Sequence, residues 1–146
     1  MTTTYNEVFE TFKDNITDPD LILLSDDLQN ETLTAIMEKA ISRCKRIISP
    51  IVDLDERSDN DTSFKNKLPS EVIDIISEWM IVFWLRPFVN NLENLRNSLS
   101  TKDFSVFSPA NLLEKIGDRY DKSYRYARSL MNEYSYIIAD MKNLKT

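Results

Sequence analysis

Trp79-Met80-Ile81-Val82-Phe83-Trp84-Leu85 is an unbroken run of seven apolar residues, followed by Arg86-Pro87-Phe88-Val89. A helix with no polar face must be covered on every side, so the run predicts the core helix of a bundle. Trp79, Phe83, Trp84, Pro87 and Phe88 are its expected packed centre. Upstream, Val72, Ile73, Ile75, Ile76, Trp79 and Met80 follow helical spacing, while Asp74, Ser77 and Glu78 take the other face. Pro69 suits a first helical turn, where its missing N–H has no intrahelical partner, and Glu71 and Asp74 place negative charge near the positive end of the helix dipole. Downstream, Leu92, Leu95 and Leu99 continue a narrower stripe, and the element is expected over 69–98. Pro87 cannot donate to the carbonyl of Phe83, which predicts a kink or two consecutive helices. Asp74, Glu78 and Arg86 interrupt the run well short of the roughly 20 apolar residues of a membrane span, so no membrane contact is expected.

The rest of the composition agrees with helices. One glycine in 146 residues argues against β and α/β folds, whose turns and phosphate loops need several positions of positive φ. The expected class is all-α, a bundle of about four helices in a single domain over 1–146, with a long C-terminal helix that projects to a neighbouring chain. The chain has no histidine and one cysteine, Cys44. His-dependent general-base, Ser-His and Cys-His chemistry is therefore absent, as is a Cys/His zinc site. Cys44 falls on the apolar face of a helix and reads as a small buried residue. No catalytic, metal or cofactor site is expected. The opening residues lack a basic segment and an apolar run, so the chain is expected to be made and kept in a reducing cytoplasm. Net charge is −6 overall, yet residues 1–107 carry 11 Lys+Arg against 19 Asp+Glu while 108–146 carry 7 against 5. An acidic body disfavours general nucleic-acid binding.

In chain order, residues 1–48 read as N-terminal helices. Tyr5, Val8, Phe9, Phe12 and Ile16 recur at helical spacing. Asp18-Pro19 is an N-cap followed by a first-turn proline, predicting a tight turn over Leu21 to Leu24. Ser25-Asp26-Asp27 then reads as the start of a helix reaching Ile48, with Leu33, Ile36, Met37, Ala40, Ile41, Cys44, Ile47 and Ile48 on one face. Residues 49–68 form an acidic loop with Ile51, Val52, Leu54 and Phe64 as possible anchors. A calcium loop from Asp53 fails, because its fifth, sixth and twelfth positions are Arg57, Ser58 and Phe64. Ser98 to Phe107 is a connector anchored by Phe104 and Phe107, and Ser108-Pro109 opens a helix over 108–144. There Leu113, Ile116, Tyr120, Ser123, Ala127, Leu130, Tyr134, Ile137, Met141 and Leu144 alternate spacings of three and four, an a/d seam. A second row at Tyr124, Met131 and Ile138 widens it. A helix this long extends beyond a compact bundle, so part of it is expected to reach another chain. Folding back along the core helix, with a bend near Gly117, is the alternative. Tyr120, Tyr124, Arg125, Arg128, Met131, Tyr134, Ile138 and Met141 are the candidate interface, tyrosine being enriched at such surfaces.

A further pattern is structural punctuation. Leu68-Pro69-Ser70-Glu71 opens an apolar helix closing on Trp84-Leu85-Arg86-Pro87, and Ser100-Thr101-Lys102-Asp103-Phe104-Ser105-Val106-Phe107-Ser108-Pro109-Ala110-Asn111-Leu112 follows a short spacer. Over 68–113 this resembles the head-tail connector, adaptor or head-completion proteins of tailed bacteriophages and prophages of Gram-positive bacteria. The resemblance is weaker over the first two helices. It implies a helical virion protein assembled in the host cytoplasm and located in the neck, in a homo-oligomeric ring, commonly twelvefold, beneath the portal protein. Such a ring extends the DNA channel, touches passing DNA without reading its sequence, and docks a stopper or tail-completion protein. Phe83 departs from the family pattern, where the residue before the tryptophan is often acidic.

Other classes stand beside it. A small DNA-packaging subunit would use Arg119, Lys122, Arg125 and Arg128, a basic stripe interrupted by Asp118 and Asp121. An acidic inhibitor or immunity-type protein would bind one target through its helical surface. An enzyme would have to work with carboxylates, lysine or tyrosine alone, and a pair such as Asp74 and Glu78, one turn apart, reads as a solvated face.

Overall fold

The computed structural model describes residues 2–58, 60–98 and 108–144, with backbone alone for 92–98, 108–111 and 141–144. The fold is all-α: α1 (Tyr5–Asp14), α2 (Pro19–Ser25), α3 (Asn30–Ile48), α4 (Ser70–Ser98) and α5 (Ser108–Leu144), with one small hairpin, β1 (Arg57–Ser58) and β2 (Ser63–Phe64). α4 is the central element. Trp79, Met80, Ile81, Val82, Trp84 and Leu85 are all buried, as a helix without a polar face requires. α1 and α3 pack on it, and α5 runs back along it antiparallel, bringing Tyr120 to Arg86 and Met131 to Trp79. Buried side chains from every helix form one cluster.

The expected centre of α4 needs three corrections. Phe83 and Phe88 are only half-buried and Pro87 is exposed. Phe83 and Pro87, one turn apart, fall on a flank that α3 and α5 leave open, while Phe88 keeps part of its ring against the core. α4 also continues through Pro87 as one helix and does not divide in two. With its ring in solvent, Pro87 leaves only the Phe83 carbonyl without its intrahelical N–H partner.

Local signals account for most boundaries. Thr4 caps α1 in a reciprocal box with Glu7: its Oγ1 accepts from the Glu7 N–H, and its own N–H donates to the Glu7 carboxylate at 2.7 Å. Asp18 caps α2, with Pro19 as its first residue. Ser25-Asp26-Asp27, expected to start the next helix, instead ends α2, since the Asp26 N–H and the Ser25 hydroxyl both bond the Ile22 carbonyl. α3 begins at Asn30 after Gln29. Cys44 is buried on its inner face, and the loss of water pushes its thiol up to about 12.

The acidic loop is better ordered than its composition suggests. β1 and β2 pair antiparallel, Arg57 opposite Phe64, and the N-terminal segment lies along the other edge of β2. Thr3 accepts from the Phe64 N–H and donates to the Asn66 carbonyl, while the Tyr5 N–H donates to the Thr62 carbonyl. The buried Thr3 hydroxyl also accepts from the Leu68 N–H at 2.8 Å. Of the four expected anchors, Leu54 and Phe64 are buried, Val52 is half-buried and Ile51 is exposed. Phe64 meets the Tyr5 ring edge-on at 5.3 Å. The connector with Phe104 and Phe107 lies outside the described residues.

Candidate functional site: an arginine and aromatic face

α3, α4 and α5 share an open flank where aromatic rings carry arginines. α4 supplies Trp79 and Phe83, one helical turn apart, with ring centroids 6.1 Å apart. α5 supplies Tyr120 and Tyr124, stacked at 6.3 Å, and the Tyr124 ring meets Trp79 edge-on at 5.6 Å. Three guanidinium groups lie over these rings: Arg43 above Trp79 at 5.0 Å, Arg86 above Phe83 at 4.8 Å and Arg128 above Tyr124 at 5.8 Å. A ring quadrupole attracts a cation over its face, worth about 0.5–1 kcal/mol at an exposed site. Arg86 is further fixed by donating its Nε to the Tyr120 hydroxyl at 3.2 Å, and Trp79 Nε1 donates to Met131 Sδ. Beside the rings is an open groove of about 530 Å³, lined by Ala35, Glu38, Lys39, Ser42, Arg43 and Phe83.

Among the described residues, no carboxylate lies within ion-pair distance of Arg43, Arg86 or Arg128. Glu38, the acidic residue in the groove, faces Arg57 at 3.9 Å instead. The arginines are therefore oriented by rings and retain their charge for a ligand. A planar guanidinium already held on a ring loses little freedom when it binds a carboxylate.

The opposite flank of α4 and α5 is built differently. Glu78, placed by its spacing on a solvated face, is in fact 5% exposed. α5 and the end of α1 cover it. Arg119 Nη2 approaches its carboxylate at 3.8 Å while donating to the Asn15 carbonyl, and Arg119 Nε donates to the buried Ser123 hydroxyl. Burial pushes the Glu78 carboxyl up, with Ser123 and Arg119 opposing the shift. A cleft of about 250 Å³ opens between Asn15, Lys122 and Tyr126. Lys115 ties α5 to α2 through Asp20 at 2.7 Å. Further along, Glu71, Asp74 and Glu133 rim a small apolar furrow, where burial and the nearby Glu71 charge push the Asp74 carboxyl up.

The eight candidate interface residues are thereby divided. Tyr134 and Ile138 are buried within the chain, which corrects their reading as main contacts to another subunit: both are packed into the core, and Tyr134 keeps only a small edge in the lining of the apolar furrow. Tyr120, Tyr124 and Met131 are half-buried, and each leaves part of its surface in the arginine face. Arg128 joins that face, Arg125 is exposed and donates back to the Asp121 carbonyl, and Met141 lies outside the described side chains. Arg119 leaves the supposed basic stripe for Glu78. Sequence reasoning missed Arg43 and Arg86, and it placed Phe83 in the packed centre rather than on this face. Arg86 and Phe83 share one turn of α4 and so carried a local signal. Arg43 meets Trp79 across two helices and carried none.

No family model, curated protein or solved structure matches the chain. Its function has to be argued from the surface. Among the described residues no group of acidic, cysteine or histidine side chains is placed to hold a metal, and no helix is long and apolar enough to cross a membrane.

Proposed function

We propose that the chain is a structural assembly protein of the head-tail connector kind, a ring component beneath a phage portal, and that it docks through its arginine and aromatic face. One observation carries the binding half of this reading: three exposed or half-exposed arginines are set on rings, without carboxylate partners among the described residues, in a chain of net charge −6. Tyr, Trp and Arg are the residues that dominate binding energy at protein interfaces, and here they are neighbours. The virion half rests on the resemblance over 68–113. In that setting the acidic surface lets DNA pass without adhering, since retention draws on lysine and arginine neutralising phosphates.

The deciding measurement is quantitative mass spectrometry of purified DNA-filled particles from the phage or prophage that encodes the chain. A ratio near one to one with the portal subunit supports a neck-ring component. Absence from mature particles overturns the reading. A stable one-to-one complex with a non-virion protein would then favour the inhibitor class.

A further inference from the structure

We propose that the acidic furrow of one copy receives the arginine and aromatic face of a second copy of this chain. This deepens the ring reading above and rests on it, by assigning the two surfaces that meet.

The furrow lies between the N-terminal half of α4 and the C-terminal half of α5. Its floor is Ile75, Leu130, Tyr134 and Ile137, its rim is Glu71, Asp74 and Glu133, and its volume is about 80 Å³, room for the head of one side chain. Ile137 is 50% exposed, so apolar surface there lacks a cover within the chain. None of the three rim carboxylates has a cation within ion-pair distance among the described residues. Lys122 is exposed in a separate cleft with Glu78 and does not line the furrow.

The two patches match in charge and fall on opposite sides of one helix pair. Arg128 and Leu130 are two residues apart on α5, and Phe83 and Asp74 are nine apart on α4. At 3.6 residues per turn each separation places the two members of a pair about half a turn from each other. Among the described residues, three arginines without a carboxylate partner stand with the first flank and three carboxylates without a cation partner with the second. Because the patches lie on opposite flanks, a two-fold dimer that brought either flank onto its axis would set like patch against like and repel. The attractive contact is heterologous: each copy offers its arginine face to one neighbour and its furrow to the next. Such a contact propagates head to tail and closes into a ring when the rotation permits.

The test is charge reversal on exposed residues of each flank, read by light scattering after size exclusion at low ionic strength, with circular dichroism confirming that every variant folds. Arg43→Glu with Arg128→Glu makes both flanks acidic; Asp74→Lys with Glu133→Lys makes both basic. The wild type is expected to assemble and each reversed chain alone to be monomeric. Combining all four substitutions in one chain, or mixing the two reversed chains in equal amounts, is expected to restore assembly. A monomeric wild type overturns the proposal, as does assembly that survives either reversal. Wild-type rings indifferent to both reversals would leave the connector reading standing. Absence from particles would remove that reading while self-association stayed measurable.

Discussion

At the scale of single residues, Glu78 is the position where burial and charge conflict. Its carboxyl sits between α1, α4 and α5 with one guanidinium at 3.8 Å, and desolvation pushes its pKa up. The folded protein therefore holds a proton there that the unfolded chain has released, over the window from the ordinary carboxylate value of about 4.3 up to the folded value. Stability attributable to this group falls as pH rises through that window. Glu78→Gln should flatten the slope and be no less stable than wild type at neutral pH. Arg119→Met leaves the carboxylate without its cation and should cost about 1–3 kcal/mol, most at neutral pH and least below the window. Urea unfolding of both variants from about pH 4 to about pH 8 checks the sign. A flat wild-type profile in this range would contradict it. Thr62 carries a different cost, that of backbone conformation: it is an exposed β-branched residue at φ 49° in the turn that leads into β2. The left-handed region costs such a residue about 1–2 kcal/mol and asparagine less. Thr62→Asn should therefore raise the unfolding midpoint, with a gain of about 1 kcal/mol.

Among the elements, α4 carries a cost that a substitution can remove. Pro87 is exposed inside a continuous helix and denies the Phe83 carbonyl its N–H. Interior proline costs about 3 kcal/mol relative to alanine, partly offset by the stiffness it gives the unfolded chain. Pro87→Ala should stabilise by about 1–3 kcal/mol in urea unfolding. Destabilisation would mean that the proline shapes the flank beside Phe83. α4 was legible because an all-apolar run has to be largely covered, Phe83 being the member left half-buried, and α2 because Asp18-Pro19 is a local signal. α5 was legible as a helix, and most of its seam holds: Leu113, Ile116, Tyr120, Ser123, Ala127, Leu130 and Tyr134 are buried or packed against the core, as are Tyr124, Met131 and Ile138 of the second row, while Ile137 is half exposed. Ile116, Ala127 and Ile138 are eleven apart, as are Tyr120 and Met131, and Ser123 and Tyr134. An eleven-residue repeat averages 3.67 residues per turn, close to an unsupercoiled helix, so the buried row drifts off the heptad seam within two repeats. That drift carries Ile137 to the surface and Ile138 inward. The pairing of Thr3 and Thr4 with β2 was not legible, because it joins residues some sixty apart through backbone groups that leave no pattern in side chains.

For the whole molecule, the fate of α5 decides how function can be probed. A helix of this length suggests a clasp thrown out to a partner, removable without harm to the body. The fold gives it another duty. Ala127, Tyr134 and Ile138 are buried against α4, and Trp79 is covered on one side by Tyr124 and Met131. Truncation after Tyr120 would expose Trp79 and Ile75 together, an apolar area whose burial at about 25 cal/mol per Å² is a large share of the 5–15 kcal/mol that holds a typical domain. The truncated chain should therefore lose its cooperative unfolding transition and near-ultraviolet tryptophan signal, and aggregate at concentrations where the full chain stays dispersed. Loss of partner binding by that truncation would say nothing about an interface. Paired reversals at Arg43 and Arg128 touch no buried contact beyond their own rings, so they separate docking from folding. A truncated chain that unfolds cooperatively near the wild-type midpoint would show α5 to be an appendage and reopen its C-terminal half as a reach toward another subunit.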